Sequence, residues 1–214
     1  MIREAALAGL LASIALAAQG EDSWPALGRR ASGPSREPWA FVASGYWNVP
    51  RGADAFASGI FAADRGALHL EARANYEALH AQSGFIGWTF SHGDGVELEA
   101  TPIVGVVGGA MHGPIVGLEA AASAGAFDAY IEAEYVRPND EASYTYAWTE
   151  LGWRAAPWLR VGAAGQRTRL YGGDRAWQAG PFLQLTEGKL TLSGYWFQPG
   201  SSEELAIVSL AVAF

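Results

Sequence analysis

From Ala67 to Glu77 the chain reads ALHLEARANYE. Leu68, Leu70, Ala72, Ala74 and Tyr76 hold the even positions, and His69, Glu71, Arg73, Asn75 and Glu77 hold the odd ones. Successive side chains of a strand point to opposite faces, so this alternation gives one apolar face and one ionic face. A half-buried sheet turns the apolar face to a core and the ionic face to water. A membrane barrel turns the apolar face to lipid and the ionic face to an enclosed interior.

The same pattern recurs along the chain. From Pro38 onward the sequence divides into twelve alternating segments, at 40–49, 55–64, 67–78, 82–91, 96–107, 114–123, 127–137, 143–154, 158–169, 176–186, 189–197 and 204–214. That is about 15 residues per unit, which suits a membrane-spanning strand of about 9–11 residues and its turn. The connections alternate too. DRG, HGDG, AGA, AAP and EG are short, whereas PRGAD, LHAQ, GGAMHG, RPNDEA, YGGDRA and QPGSSE tend to be longer and more polar or glycine-rich. Short turns on one side, longer loops on the other and an even strand count are expected of a barrel with both termini on one side. The sequence therefore predicts an all-β fold, a transmembrane antiparallel up-and-down β-barrel of about twelve strands over residues 39–214. Ten strands would remain if the first pair failed to close.

Residues 102–118 hold no Asp, Glu, Lys or Arg and could be read as a spanning helix. Pro102, Pro114 and the central GGAMHG make two strands and a turn the better account. Pro102 and Pro181 fall inside predicted strands and cannot donate to a ladder, so each is expected at a bulge or near a strand end.

Composition sharpens the picture. Half the residues are apolar and 17% are charged, with 27 glycines. The net charge of −8 argues against nucleic acid, which needs a basic surface. With no cysteine, disulfides, thiolate chemistry and lipid attachment at an N-terminal cysteine are excluded. At the N-terminus Arg3 precedes an uncharged run from Ala5 to Ala18, too short to span a bilayer as a helix. Residues 1–20 read as a cleaved secretory signal peptide, cut after Ala17 or Gly20. Residues 21–38 read as a flexible periplasmic leader, rich in Pro, Gly, Ser and balanced charge.

The final segment, ELAIVSLAVAF, places Ala206, Val208, Leu210, Val212 and Phe214 on one face and ends on Phe214. Here the sequence resembles bacterial outer-membrane β-barrel proteins, whose last strand commonly closes on an aromatic residue after alternating apolar positions. The resemblance covers residues 39–214 by pattern and roughly the last ten by motif. It implies a Gram-negative outer-membrane location, lipid on the outside, and a terminal strand (Val212 and Phe214) read by the barrel-assembly machinery. Trp47, Trp88, Trp153, Trp177, Trp196, Tyr76 and Tyr135 would form the interfacial girdles.

If the apolar face meets lipid, the opposite face lines the interior. The expected lining is His69, Glu71, Arg73, Asn75, Glu77, Glu97, Glu99, Glu119, Glu132, Glu134, Tyr146, Trp148, Glu150, Arg160, Gln166 and Lys189, with Thr101, Asp128, Tyr130, Gln178, Gln184, Thr191 and Tyr195 beside them. Acid predominates. Twelve strands lie between the eight that side chains can fill and the sixteen of open porins. The expected function is a narrow passive channel with an acidic lumen and mild cation preference, small solutes or cations being its cargo. The alternatives are a plugged structural barrel and a lipid-modifying outer-membrane enzyme. Catalysis is the weaker reading, because Ser91 and His92 are adjacent and face opposite ways. The i, i+2 carboxylate pairs follow from alternation alone, so no catalytic residue, metal or cofactor is assigned.

Overall fold

The computed structural model describes residues 38–170 and 175–214. The expected signal peptide, nearly all of the leader and most of the YGGDRA loop lie outside the described residues.

Alternation becomes strand at every predicted segment. The strands are β1 (Ala40–Pro50), β2 (Phe56–Arg65), β3 (Leu68–Ala74), β4 (Ala81–Trp88), β5 (Phe90–Gly93), β6 (Glu97–Gly109), β7 (Gly113–Ala124), β8 (Phe127–Val136), β9 (Tyr144–Ala156), β10 (Leu159–Leu170), β11 (Arg175–Glu187), β12 (Leu190–Phe197) and β13 (Leu205–Ala213). Neighbours in sequence other than β4 and β5 pair antiparallel, β1 pairs with β13, and β4 pairs with β6 to give the continuous order of the sheet. β5 continues β4 along the same partner, so the closed barrel has twelve staves among the described residues. Closure leaves no edge, which is what allows a sheet to sit in hydrocarbon.

The break between β4 and β5 has a chemical cause. The register runs unshifted from Gly87↔Ile103 to Phe90↔Ala100, which sets Trp88 opposite Pro102. Proline has no N–H to give the ladder facing Trp88, while on the other side the β3 ladder runs on, the Thr89 amide donating to Ala67 O at 2.8 Å. Pro181 sits one residue before the point where β11 begins to pair with β12, at Phe182↔Tyr195. Neither proline makes a bulge; a register shift occurs instead at Leu159/Arg160, between β9 and β10.

Two rims differ in their connections. At the rim where Ala40 and Ala213 lie, here the proximal rim, tight turns join the strands, and Gly125 and Gly188 adopt φ of 58° and 57°, which a side chain disfavours. The far rim carries the longer loops. There Arg51 and Glu204 form an ion pair at 2.6 Å that ties the β1–β2 and β12–β13 loops.

Side chains sort by face. Val104, Val116, Leu151, Leu183, Val208 and Leu210 are exposed on the outside. An apolar outer surface this continuous is far beyond what a water-facing monomer tolerates and suits a lipid belt. Trp47, Trp88, Trp153, Trp177, Trp196 and Tyr135 lie exposed on this surface. Tyr76 does not: it is buried inside, because the chain leaves β3 at Ala74 and turns Tyr76 and Glu77 inward. At the proximal rim Phe41 stacks on Phe214 at 5.6 Å and on Phe61 at 5.9 Å. Backbone bonds between Phe41 and Phe214, at 3.0 and 2.9 Å, fasten the last residue into the sheet.

Candidate functional site

Three inward positions of β3 (His69, Glu71 and Arg73) build one half of the interior. β7 adds Glu119, β8 adds Glu132 and Glu134, and the inward loop after β3 adds Tyr76 and Glu77. The Arg73 guanidinium is the hub. Its Nε donates to Glu71 Oε1, and its Nη1 lies 2.7 Å from Glu134 Oε1, 3.1 Å from Glu132 Oε1 and 3.7 Å from Glu77 Oε1. Its Nη2 lies 3.6 Å from Glu119 Oε1. The rings of Tyr76 and Phe85 each centre 4.3 Å from Arg73 Cζ. A planar, weakly hydrated guanidinium can fork to several carboxylates and stack on rings together, which an ammonium cannot.

A second hub lies among β8 to β12. Arg160 donates to both oxygens of Asp128, to Glu150 Oε2 at 2.5 Å and to Gln184 Oε1 at 2.8 Å, and sits 4.6 Å from the Phe182 ring centre. Glu150 Oε1 in turn accepts from Trp148 Nε1 at 3.1 Å and Tyr195 OH at 3.0 Å. Gly152 makes room for this cluster, since a Cβ there would collide with Arg160 Nε and Asp128 Oδ1.

Aromatic rings and aliphatic groups fill the space around both hubs. Trp148 meets Tyr195 and Phe197 edge-on, each at 5.2 Å between centres. Trp148, Phe197, Ile103, Ile115, Leu205, Glu132, Val136, Asn48 and Thr191 are all below 2% accessible although they face inward. An aqueous pore would wet such residues. At this level side chains pack the interior, as in the plugged alternative. The packing comes from inward-facing rings and branched chains, several on β1, β4, β6 and β13, where no alternating charge marks the inward face.

The expected lining residues fall into three groups. His69, Glu71, Arg73, Glu77, Glu132, Glu134, Tyr146, Trp148, Glu150, Arg160 and Gln166 are buried within the barrel. Glu97, Glu99 and Glu119 are half-buried, the first two toward the proximal mouth. Asn75 and Lys189 do not line a passage. Asn75 takes a φ of 55° and pins the inward loop, accepting from the His80 amide at 2.8 Å and donating to Ala57 O at 3.0 Å. Lys189 is exposed in the tight turn between β11 and β12, because the inward face of β12 begins at Thr191. Ser91 and His92 are exposed on β5.

One juxtaposition was not legible from spacing. His69 and Glu71 share a face of β3, and the barrel brings Glu119 of β7 to them, so that one ligand atom from each lies within 4.8 Å of the others. Asp64, absent from the expected lining, bonds His69 Nδ1 at 2.7 Å. Its position directly across from His69 in the β2–β3 register is the signal that pairing would have supplied.

No family model matches the chain, and no curated protein is significantly similar to it. Among solved structures, it is similar to two outer-membrane proteins of Pseudomonas aeruginosa. OccK5 (OpdH) is 12% identical, with a TM-score of 0.45 over 86% of this chain and 68% of that one. OpdK is 10% identical, with a TM-score of 0.45 over 82% and 66%. The OmpT outer-membrane protein of Vibrio cholerae is 6% identical, with a TM-score of 0.39 over 83% and 97%. At these values the likeness extends to general barrel form alone.

Proposed function

We propose that the protein is a bacterial outer-membrane barrel that is closed at rest, its interior occupied by its own side chains. The observation that carries this reading is the burial of Trp148, Phe197 and Glu132, which face inward yet reach no solvent. The apolar belt outside and the closed strand order support the membrane location. In that setting the proximal rim faces the periplasm, the N-terminal signal peptide directs export, and the strand ending in Val212 and Phe214 is the segment the assembly machinery reads.

A second reading, a narrow cation-preferring channel that opens from this state, is favoured by the charge of the interior. Glu71, Glu77, Glu119, Glu132 and Glu134 all lie within 4.0 Å of Arg73, and an acidic enclosure attracts cations. Passage would require the inward loop bearing Tyr76 and Glu77 to leave.

Planar-bilayer recording separates the two. The closed reading expects no steady unit conductance from the wild type, and the opening reading expects conductance from a Y76G/E77G double variant. Steady porin-like conductance in the wild type overturns the closed reading. Any conductance so obtained is then measured in E99Q/E134Q, where an unmoved reversal potential removes the cation preference.

A further inference from the structure

We propose that His69, Glu71 and Glu119 bind one divalent transition-metal ion inside the barrel, on the proximal side of Arg73. The site does not depend on whether the barrel conducts.

The geometry begins with the histidine. Asp64 Oδ1 lies 2.7 Å from His69 Nδ1, and a carboxylate there holds the ring proton on Nδ1 and leaves the Nε2 lone pair free for a ligand. Nε2 faces Glu71 Oε2 at 3.9 Å and Glu119 Oε2 at 4.0 Å. Each glutamate thus divides its oxygens, turning Oε1 to Arg73 and Oε2 to the histidine. Metal bonds of about 2.0–2.2 Å set tetrahedral ligands about 3.4 Å apart, so the two histidine–glutamate separations need to contract by roughly half an ångström and the Glu71–Glu119 separation by up to about 1.4 Å. One imidazole and two carboxylates form a borderline donor set suited to Zn2+ and its neighbours.

The second observation is unsatisfied polarity. His69 Nε2 and Glu71 Oε2 are buried without a hydrogen-bond partner among the described residues, on side chains 9% and 1% accessible. The Arg160 hub provides the contrast. Of its members Asp128, Glu150, Gln184 and Arg160, none leaves a buried side-chain atom unpartnered. The same barrel therefore satisfies one buried cluster internally and leaves unpartnered atoms in the other, among them His69 Nε2 and Glu71 Oε2, which face each other. Charge agrees, since five carboxylates surround the single Arg73 guanidinium, and buried charges must be paired or coordinate a cation. Glu97, Glu99 and Asp64, all partly accessible, mark an acidic approach from the proximal mouth.

The test uses the full chain, purified in detergent without a histidine tag, stripped with EDTA and offered Zn2+ as the probe. Metal content is read by mass spectrometry after dialysis and affinity by calorimetry. One equivalent of Zn2+ is expected per folded chain. H69Q and E119Q are each expected to weaken binding at least about tenfold, and D64N by about 10- to 100-fold, as loss of the group orienting a metal-bound histidine does. H92Q, at an exposed position of β5, is expected to bind as the wild type does. Heat-modifiable migration confirms that each variant is folded; should H69Q fail to fold, E119Q, at a less buried position, decides. Absence of retained Zn2+ in the wild type, or unchanged affinity in the folded ligand variants, overturns the proposal.

Discussion

The Tyr76 hydroxyl donates a 2.7 Å hydrogen bond to Glu132 Oε1, tying the loop that follows β3 to the middle of β8. The bond joins a connection to the charged interior, and the same ring stacks on Arg73. Removing the hydroxyl leaves a fully buried carboxylate one donor short. Y76F is expected to lower the unfolding free energy by about 1–3 kcal/mol, the cost of an unsatisfied buried group. Urea unfolding in lipid vesicles measures it, and an unchanged midpoint would show that the loop is not anchored by this bond.

Arg73 supplies the positive charge that five carboxylates share. Taking it away strands those carboxylates in a dry interior, so R73M is expected to cost about 3–5 kcal/mol, the range for breaking a buried ion pair from one side. R73K keeps the charge but loses the fork and the stacking on Tyr76 and Phe85, and it should recover only part of that loss. Equal stability of R73K and the wild type would mean that point charge alone organises the cluster.

The outer surface makes a separate demand. Val104 is exposed near the middle of β6, across from Ile86 and Val116, which are exposed as well. V104R is expected to cost about 2–4 kcal/mol in a bilayer, as arginine does near the midplane of a barrel. K189E, in the proximal turn, should stay within about 0.5 kcal/mol of the wild type. Equal effects of the two changes, measured by unfolding in vesicles, would contradict a lipid belt at Val104.

Strand positions were legible because period-two alternation is written in the sequence and survives folding unchanged. The face assignment followed from it: Glu132 and Glu134 point inward because Ile131 and Ala133 take the other face. What fills the interior was less legible. Tyr46 and Phe197 share their inward faces with small or polar neighbours, and parity alone does not tell a ring that packs the axis from one that borders a pore. Tyr76 shows the limit of parity, since it has the outward phase of β3 but lies beyond the strand, where the left-handed turn at Asn75 redirects the chain. The His69–Glu119 approach is a contact across the barrel between β3 and β7, set by closure and by no local spacing.

At the far rim, the Arg51 side chain, followed by the Gly200 amide, holds the Glu204 carboxyl below its ordinary pKa. Because the folded value is depressed, the fold favours the ionised form. The resulting stabilisation is fully present above the unfolded-state pKa and is lost as pH falls through the folded one. The pair is solvent-exposed, so its contribution is small and weakens with added salt. Carbon-detected NMR titration of Glu204 should give a midpoint below the ordinary carboxylate value. R51A should move that midpoint upward, while the Gly200 amide, 2.7 Å from Glu204 Oε2, retains part of the depression. An identical midpoint in R51A would assign the shift to the loop backbone and would remove the ion pair as the link between the two loops.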